Sequence, residues 1–183
     1  GVAYYDGPAF HRFLIEDATQ GALDKDGHLW VGTWNAGLYR CAKGKNPVRY
    51  TVEDGLASNN ITWIVATREG PLWFGFKGSL SQDMPRGGMC RYDGTHFKNF
   101  TAEDGLLSEA IAVALEDAKG SMWFGSDKGV MRYGREAAGG APAFSAITKE
   151  HNLISNYVIS ISADRAGNLW FGTDKGVSKY DGE

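Results

Sequence analysis

The chain has 183 residues, 43% of them hydrophobic and 13% aromatic, a composition that suits a packed globular domain and excludes a disordered one. Its net charge of −3 and pI near 5.8 exclude a basic nucleic-acid-binding surface, which needs clustered Lys and Arg. No apolar run reaches the ~18–20 residues of a membrane span, and residues 1–20 show no basic start followed by an apolar stretch.

In chain order, the first elements are Gly1-Val2-Ala3-Tyr4-Tyr5-Asp6-Gly7 and residues 10–15, two β-rich runs joined at an Asp-Gly hairpin turn. Next comes His28-Leu29-Trp30-Val31-Gly32-Thr33, which returns as Pro71-Leu72-Trp73-Phe74-Gly75-Phe76, Ser121-Met122-Trp123-Phe124-Gly125-Ser126 and Asn168-Leu169-Trp170-Phe171-Gly172-Thr173. The tryptophans are 43, 50 and 47 residues apart, a period that marks a propeller or solenoid. Each segment follows a strand-like alternating run, clearest at 60–67 and 156–164.

Gly27, Gly70, Gly120 and Gly167 stand three before each tryptophan, and Asp24, Thr67, Asp117 and Asp164 six before it. Asp-x-x-Gly between β-rich runs is tight-turn chemistry, with Asp bonding the turn's backbone and Gly supplying φ > 0. Asp24-Lys25-Asp26-Gly27 has a superficial calcium-loop look but lacks the remaining ligands, so it reads as a hairpin and no metal site is expected. After each tryptophan comes a glycine and a short run ending in tyrosine, as in Gly129-Val130-Met131-Arg132-Tyr133 and Gly176-Val177-Ser178-Lys179-Tyr180; Gly37-Leu38-Tyr39-Arg40-Cys41 is the weakest copy. A fourth run follows at 48–52, 97–101 and 144–148, leading into Glu53-Asp54-Gly55-Leu56, Glu103-Asp104-Gly105-Leu106 and Glu150-His151-Asn152-Leu153.

One period is therefore four short antiparallel strands: A before the tryptophan, B holding it, C ending in tyrosine, and D. That is one propeller blade. An α-solenoid would need helical periodicity and good helix formers, and 25 glycines oppose it. The expected fold is all-β, a propeller segment spanning 1–183, with about four blades centred on Trp30, Trp73, Trp123 and Trp170. The census runs C-D, three full cycles, then A-B-C, so the segment is expected to belong to a longer propeller, or to a ring completed by a partner chain. Because the four tryptophans recur in every blade, they read as packing between blade faces rather than a ligand site. Cys41 and Cys90 fall in neighbouring repeats, two positions out of step, and read as buried fillers rather than a disulfide.

Residues 156–182 closely resemble the two-component regulator propeller repeat, and the Asp-Gly-Leu-x-Ser linkers at 54–60 and 104–110 resemble the same family. The resemblance covers essentially the whole chain. It implies propellers of roughly seven blades, often paired, that form extracytoplasmic sensor regions of bacterial hybrid histidine kinases, many responding to oligosaccharides. The expectation that follows is a periplasmic or extracellular, non-catalytic ligand-binding domain. It would take a carbohydrate-like ligand and act through signalling domains in the same polypeptide. A structural or protein–protein scaffold completed by another chain is the alternative, and an enzyme like the streptogramin lyases the third reading. Fold alone does not choose among them.

Departures from the repeat are the better functional candidates. Where the third and fourth blades open their B–C loop with Asp127-Lys128 and Asp174-Lys175, the first has Trp34-Asn35, an aromatic and an amide suited to stacking on a sugar ring and bonding its hydroxyls. In the second blade Trp73 to Gly88 spans 15 residues, against 6 from Trp123 to Gly129, so its loop carries nine extra residues around Lys77–Gly87, polar and turn-rich in content and including Lys77 and Arg86. Trp63 aligns with Val113 and Ser160 and is a further departure. The candidate binding residues are Trp34, Asn35, Asn60, Trp63, Lys77 and Arg86; the longer third-blade C–D loop, 134–142, reads as a spacer. His11, His28, His96 and His151 hold unrelated positions, and no metal pair, nucleophile elbow or phosphate loop is present, so neither cofactor nor catalytic residue is expected.

Overall fold

A computed structural model describes residues 2–5, 10–76, 88–134 and 143–182. The chain divides into two compact units, 1–77 with 90–99 and 78–89 with 100–183. A two-stranded sheet comes first, β1 (Val2–Tyr5) with β2 (Phe10–Phe13). The first blade follows as a four-stranded sheet in the order β3 (Ala18–Leu23), β4 (Leu29–Thr33), β5 (Leu38–Cys41), β6 (Val48–Tyr50). The second is β7 (Ile61–Ala66), β8 (Leu72–Phe76), β9 (Gly88–Tyr92), β10 (Phe97–Phe100). The third is β11 (Ile111–Glu116), β12 (Met122–Ser126), β13 (Gly129–Gly134), β14 (Ala143–Ile147). The fourth has three strands, β15 (Val158–Ala163), β16 (Leu169–Thr173) and β17 (Gly176–Tyr180). This is the A-B-C-D order expected from the repeat, with neighbours in sequence paired as neighbours in the sheet.

The fourth strands end one to two residues earlier than their apolar pattern suggests, because the chain turns into short 3₁₀ segments at Val52–Asp54, Ala102–Asp104 and Lys149–His151. Thr51 N donates to Asp54 Oδ2 at 2.8 Å, and Gly55 closes the turn at φ 107°. Asn152 takes the same left-handed position at φ 66°, a conformation Asn tolerates better than other side chains. The Glu-Asp-Gly-Leu linker is thus a capped turn rather than open loop. Its leucines, Leu56, Leu106 and Leu153, are buried.

The tryptophan segments of the first three blades pack as expected, and where an aspartate stands six residues before the tryptophan it has two jobs. Asp24, Asp117 and Asp164 each accept a backbone N–H of their own turn and the indole N–H of their tryptophan, the latter at 2.8, 2.8 and 3.0 Å. The indole N–H is thereby satisfied, for Trp30 and Trp123 in a site that buries the ring. Arg40 and Arg132 lie over the faces of Trp30 and Trp123, 5.8 and 5.6 Å from the ring centroid.

In the first unit, Trp30 meets Tyr50 of its own blade at 5.6 Å between centroids, and Tyr92 and Phe74 of the next at 5.5 and 6.3 Å. In the second unit, Trp123 meets Tyr180 and Phe171 at 5.3 and 5.9 Å. Trp30, Trp73 and Trp123 are 1–2% exposed, whereas Trp170 in the three-stranded fourth blade keeps 40% of its surface open. Cys41 and Cys90 are free, buried thiols, and burial raises them to about 11 and about 12.

Every strand A breaks register with its strand B after the first residue, at Ala18/Gln20, Ile61/Trp63, Ile111/Val113 and Val158/Ser160. Such bulges re-aim a side chain at the end of a sheet. Here they bring Trp63, Val113 and Ser160 opposite the strand-B glycines Gly75, Gly125 and Gly172. A methyl group on any of these glycines would overlap the facing side chain, which is why the Leu-Trp-Phe-Gly segment ends as it does.

Candidate functional site

The first-blade B–C loop differs from the others in length as well as composition. Asp127-Lys128 is a two-residue turn between the paired residues Ser126 and Gly129. Between Thr33 and Gly37 there are three residues, Trp34, Asn35 and Ala36, with Asn35 left-handed at φ 70°. A three-residue hairpin needs one residue in that region, and Asn is among the few side chains that accept it.

The loop is held on every side. Thr33 Oγ1 donates to Gly37 O at 2.7 Å and accepts from Ala36 N at 3.1 Å. Trp34 N donates to Asp17 O at 3.0 Å, Asn35 N to Asn60 Oδ1 at 2.7 Å, and Gly37 N to Asn59 O at 2.9 Å. Asp17 and Asn60 occupy the same repeat position, immediately before strands β3 and β7, so the loop is tied to the start of its own blade and of the next. The Arg49 guanidinium closes the remaining side, Nε donating to Ala36 O at 2.7 Å. A loop ordered before ligand arrives loses little entropy on binding.

Trp34 is 41% exposed on this frame and borders an open cleft of about 350 Å³. The other walls are Leu14, Glu16, Asp17, Asn35, Ala36, Tyr39 and Arg49. An aromatic face, a phenol, two carboxylates, an amide and a guanidinium make a surface able to stack on a ring and bond a set of hydroxyls.

Of the residues expected from sequence, Trp34, Asn35 and Asn60 are brought together, with Asn60 acting through the loop it braces. Trp63 differs. It is 5% exposed, its indole laid over Gly75, and so presents no open ring face. The bulge that re-aims its position turns it into the core. Lys77 and Arg86 lie outside the described residues, as do residues 135–142 of the third-blade loop. Glu16, Asp17, Tyr39 and Arg49 complete the cleft without any departure from the repeat to mark them, although Asp17 shares the repeat offset of Asn60.

Asp24, Asp26 and His28 place ligand-type atoms within 4.8 Å of one another. The Asp24 carboxylate is nevertheless occupied by Trp30 Nε1, His28 N and Asp26 N. Burial works to raise its pKa, but these hydrogen bonds outweigh burial and hold it below the usual carboxylate value. Asp117 and Asp164 make the same set with no histidine nearby in the turn, so the arrangement belongs to the hairpin. Two of the other histidines are also engaged in turns: His96 Nδ1 with Thr95 Oγ1 at 2.8 Å, and His151 Nδ1 accepting from Thr148 N at 3.2 Å. A second cleft, about 300 Å³ in the second unit, is walled by repeat positions such as Asp117, Trp123, Arg132 and Tyr180, which marks it as scaffold.

Four-stranded antiparallel sheets strung A-B-C-D, with Trp30 and Trp123 each packed against aromatic residues of the blade that follows, define the chain as a β-propeller segment. Residues 22–35 and 152–175 match the family model of the two component regulator propeller. Among solved structures it is similar over its full length to the extracellular domain of BT3049, described as a hybrid two component system of B. thetaiotaomicron (20% identity, TM-score 0.75, 24% of that chain). The extracellular domain of BT4673, described in the same terms and from the same organism, aligns with 88% of the chain (19% identity, TM-score 0.67, 22% of that chain). Virginiamycin B lyase from Staphylococcus aureus shares the fold over 94% of the chain (14% identity, TM-score 0.59, 58% of that chain). The chain spans about a quarter of the length of the two extracellular domains. No curated protein matches it by sequence.

Proposed function

We propose that the chain is part of a non-catalytic, extracytoplasmic sensor propeller, and that the first-blade cleft takes a carbohydrate-like ligand whose presence is passed to signalling domains of the same polypeptide. The observation that carries the reading is Trp34: a 41% exposed ring on a fully braced loop, at a position where two other blades have Asp-Lys. Loops that depart from a rigid repeat are where function concentrates. The family of the repeat and the extracellular domains that share the fold support the sensor setting.

Isothermal titration with a panel of neutral oligosaccharides tests the site. Binding by the chain and its loss in Trp34→Ala, with an unchanged circular-dichroism spectrum, is the expected result. Binding that survives Trp34→Ala moves the site elsewhere.

The scaffold reading draws on a different observation. Ile159, Trp170 and Val177 on the fourth blade are 54%, 40% and 61% exposed. Inside the chain, the tryptophan at this position is covered by a phenylalanine and a tyrosine of the next blade. A further blade, in the same polypeptide or a partner chain, would cover this face in the same way. Light scattering tests self-association: a monomer at micromolar concentration is expected, and a stable dimer lost in Trp170→Ser would favour assembly through this face.

A further inference from the structure

The charge of the cleft narrows the ligand class, on the footing that the cleft binds a sugar at all. Its titratable walls are the carboxylates of Glu16 and Asp17, the Arg49 guanidinium and the Tyr39 phenol. At neutral pH that is two negative charges against one positive. Arg49 is already turned to the protein, its Nε bonded to Ala36 O at 2.7 Å. Glu16 and Asp17 are both exposed on the D–A loop. Asp17 contributes to the frame through its backbone carbonyl, which accepts from Trp34 N, so its carboxylate is not needed to hold the loop.

We infer that the cleft selects neutral or amine-bearing sugars and rejects uronic-acid and sulfated ones, with Glu16 and Asp17 as the specificity-determining residues. An anionic sugar stacked on Trp34 would bring its carboxylate or sulfate beside two like charges, with one guanidinium to offset them. A hexose or N-acetylhexosamine instead offers hydroxyls and amides to carboxylate acceptors, and a protonated amino sugar adds attraction. Like-charge juxtaposition is a recurrent means of excluding the wrong partner.

The test uses three oligosaccharides of equal length titrated into the same chain: N-acetylglucosamine oligomers, their de-acetylated glucosamine counterparts, and oligogalacturonate, each at 20–50 mM and again at about 300 mM salt. Exposed charges are well screened at the higher value. The inference expects oligogalacturonate to bind at least about fivefold more weakly than the neutral oligomer at low salt. It also expects the gap to shrink at high salt and to close in the double variant Glu16→Gln/Asp17→Asn. Asn holds the left-handed conformation of Asp17 (φ 51°), so the variant keeps the loop, and an unchanged circular-dichroism spectrum and thermal midpoint check this independently of binding. Oligogalacturonate binding as tightly as the neutral oligomer, or a preference unchanged in the double variant, overturns the inference while the sugar-binding reading stands. Binding of none of the three overturns both.

Discussion

The four blade tryptophans look equivalent in sequence, yet Trp123 and Trp170 are predicted to differ sharply when truncated. Trp123 is 2% exposed and packs on Phe171 and Tyr180. Removing a buried indole returns ~200 Å² of apolar surface to account for, about 5 kcal/mol at ~25 cal/mol/Å², near the top of the range seen for Trp→Ala in cores. It also takes the indole donor from Asp117 Oδ2, in a residue only 8% exposed, which adds about 1 kcal/mol. Trp170 retains 40% of its surface, so roughly three-fifths of that area is at stake and no closed cavity is left behind. Its bond to Asp164 is exposed and weaker in effect. The expected losses are about 4–6 kcal/mol for Trp123→Ala and about 3 kcal/mol for Trp170→Ala, measured by urea denaturation followed by far-UV circular dichroism. If Trp123→Ala is unfolded in buffer, the Trp→Phe pair gives the same order with smaller values. Equal losses at the two sites would refute the reasoning, showing that Trp170 is covered in solution.

Three further predictions follow from single features. Gly75→Ala drives a methyl into the Trp63 indole and should destabilise by about 2–3 kcal/mol, whereas Gly94→Ala, which meets nothing within 4 Å, should be limited to the strain of its φ of 106°, about 1 kcal/mol; thermal unfolding compares them. Asp164 is held down to about 2 by hydrogen bonds from Asn168 and Trp170, and Asp93 is lowered further by bonds from His96 and Thr95. Because both are lowered in the folded chain, their stabilisation is complete above the ordinary carboxylate value and is lost progressively as pH falls below it, the Asp164 part mostly gone near pH 2 and the Asp93 part lost later. Denaturation midpoints should therefore drop between pH 4 and pH 2, and less so in Asp164→Asn. Cys41 and Cys90, with thiols raised to about 11 and about 12, should stay unmodified by iodoacetamide at pH 8 in the native chain and react fully in guanidinium.

The blade was legible because its causes are local and repeat. Period, alternation and the Asp-x-x-Gly turns place the strands around each tryptophan, and the strand A runs at 60–67 and 156–164 match β7 and β15 to within two residues. What escaped were the second roles of repeated residues. Asp24, Asp117 and Asp164 read as turn formers, and only the fold shows that the strand rising from the turn carries the tryptophan back onto the same carboxylate. The bulge in strand A was also silent, and it separates the two unusual aromatics. A departure from the repeat signals that a position differs, but its direction depends on the local backbone. Trp34, on a loop lengthened by one residue, faces a cleft; Trp63, one bulge into a strand, fills the space above a glycine. Glu16 and Arg49 reach the cleft from a neighbouring loop and an outer strand, a convergence that spacing along the chain does not record.

Whether Trp34 is the ring that meets ligand is read directly by fluorine NMR of the chain labelled with 5-fluorotryptophan. Six resonances are expected, one for each tryptophan, with Trp34 assigned through Trp34→Phe. On titration with a bound neutral oligosaccharide the Trp34 resonance should shift while those of the buried Trp30, Trp63, Trp73 and Trp123 stay in place. A ligand that saturates the chain and leaves the Trp34 resonance unmoved would contradict the account.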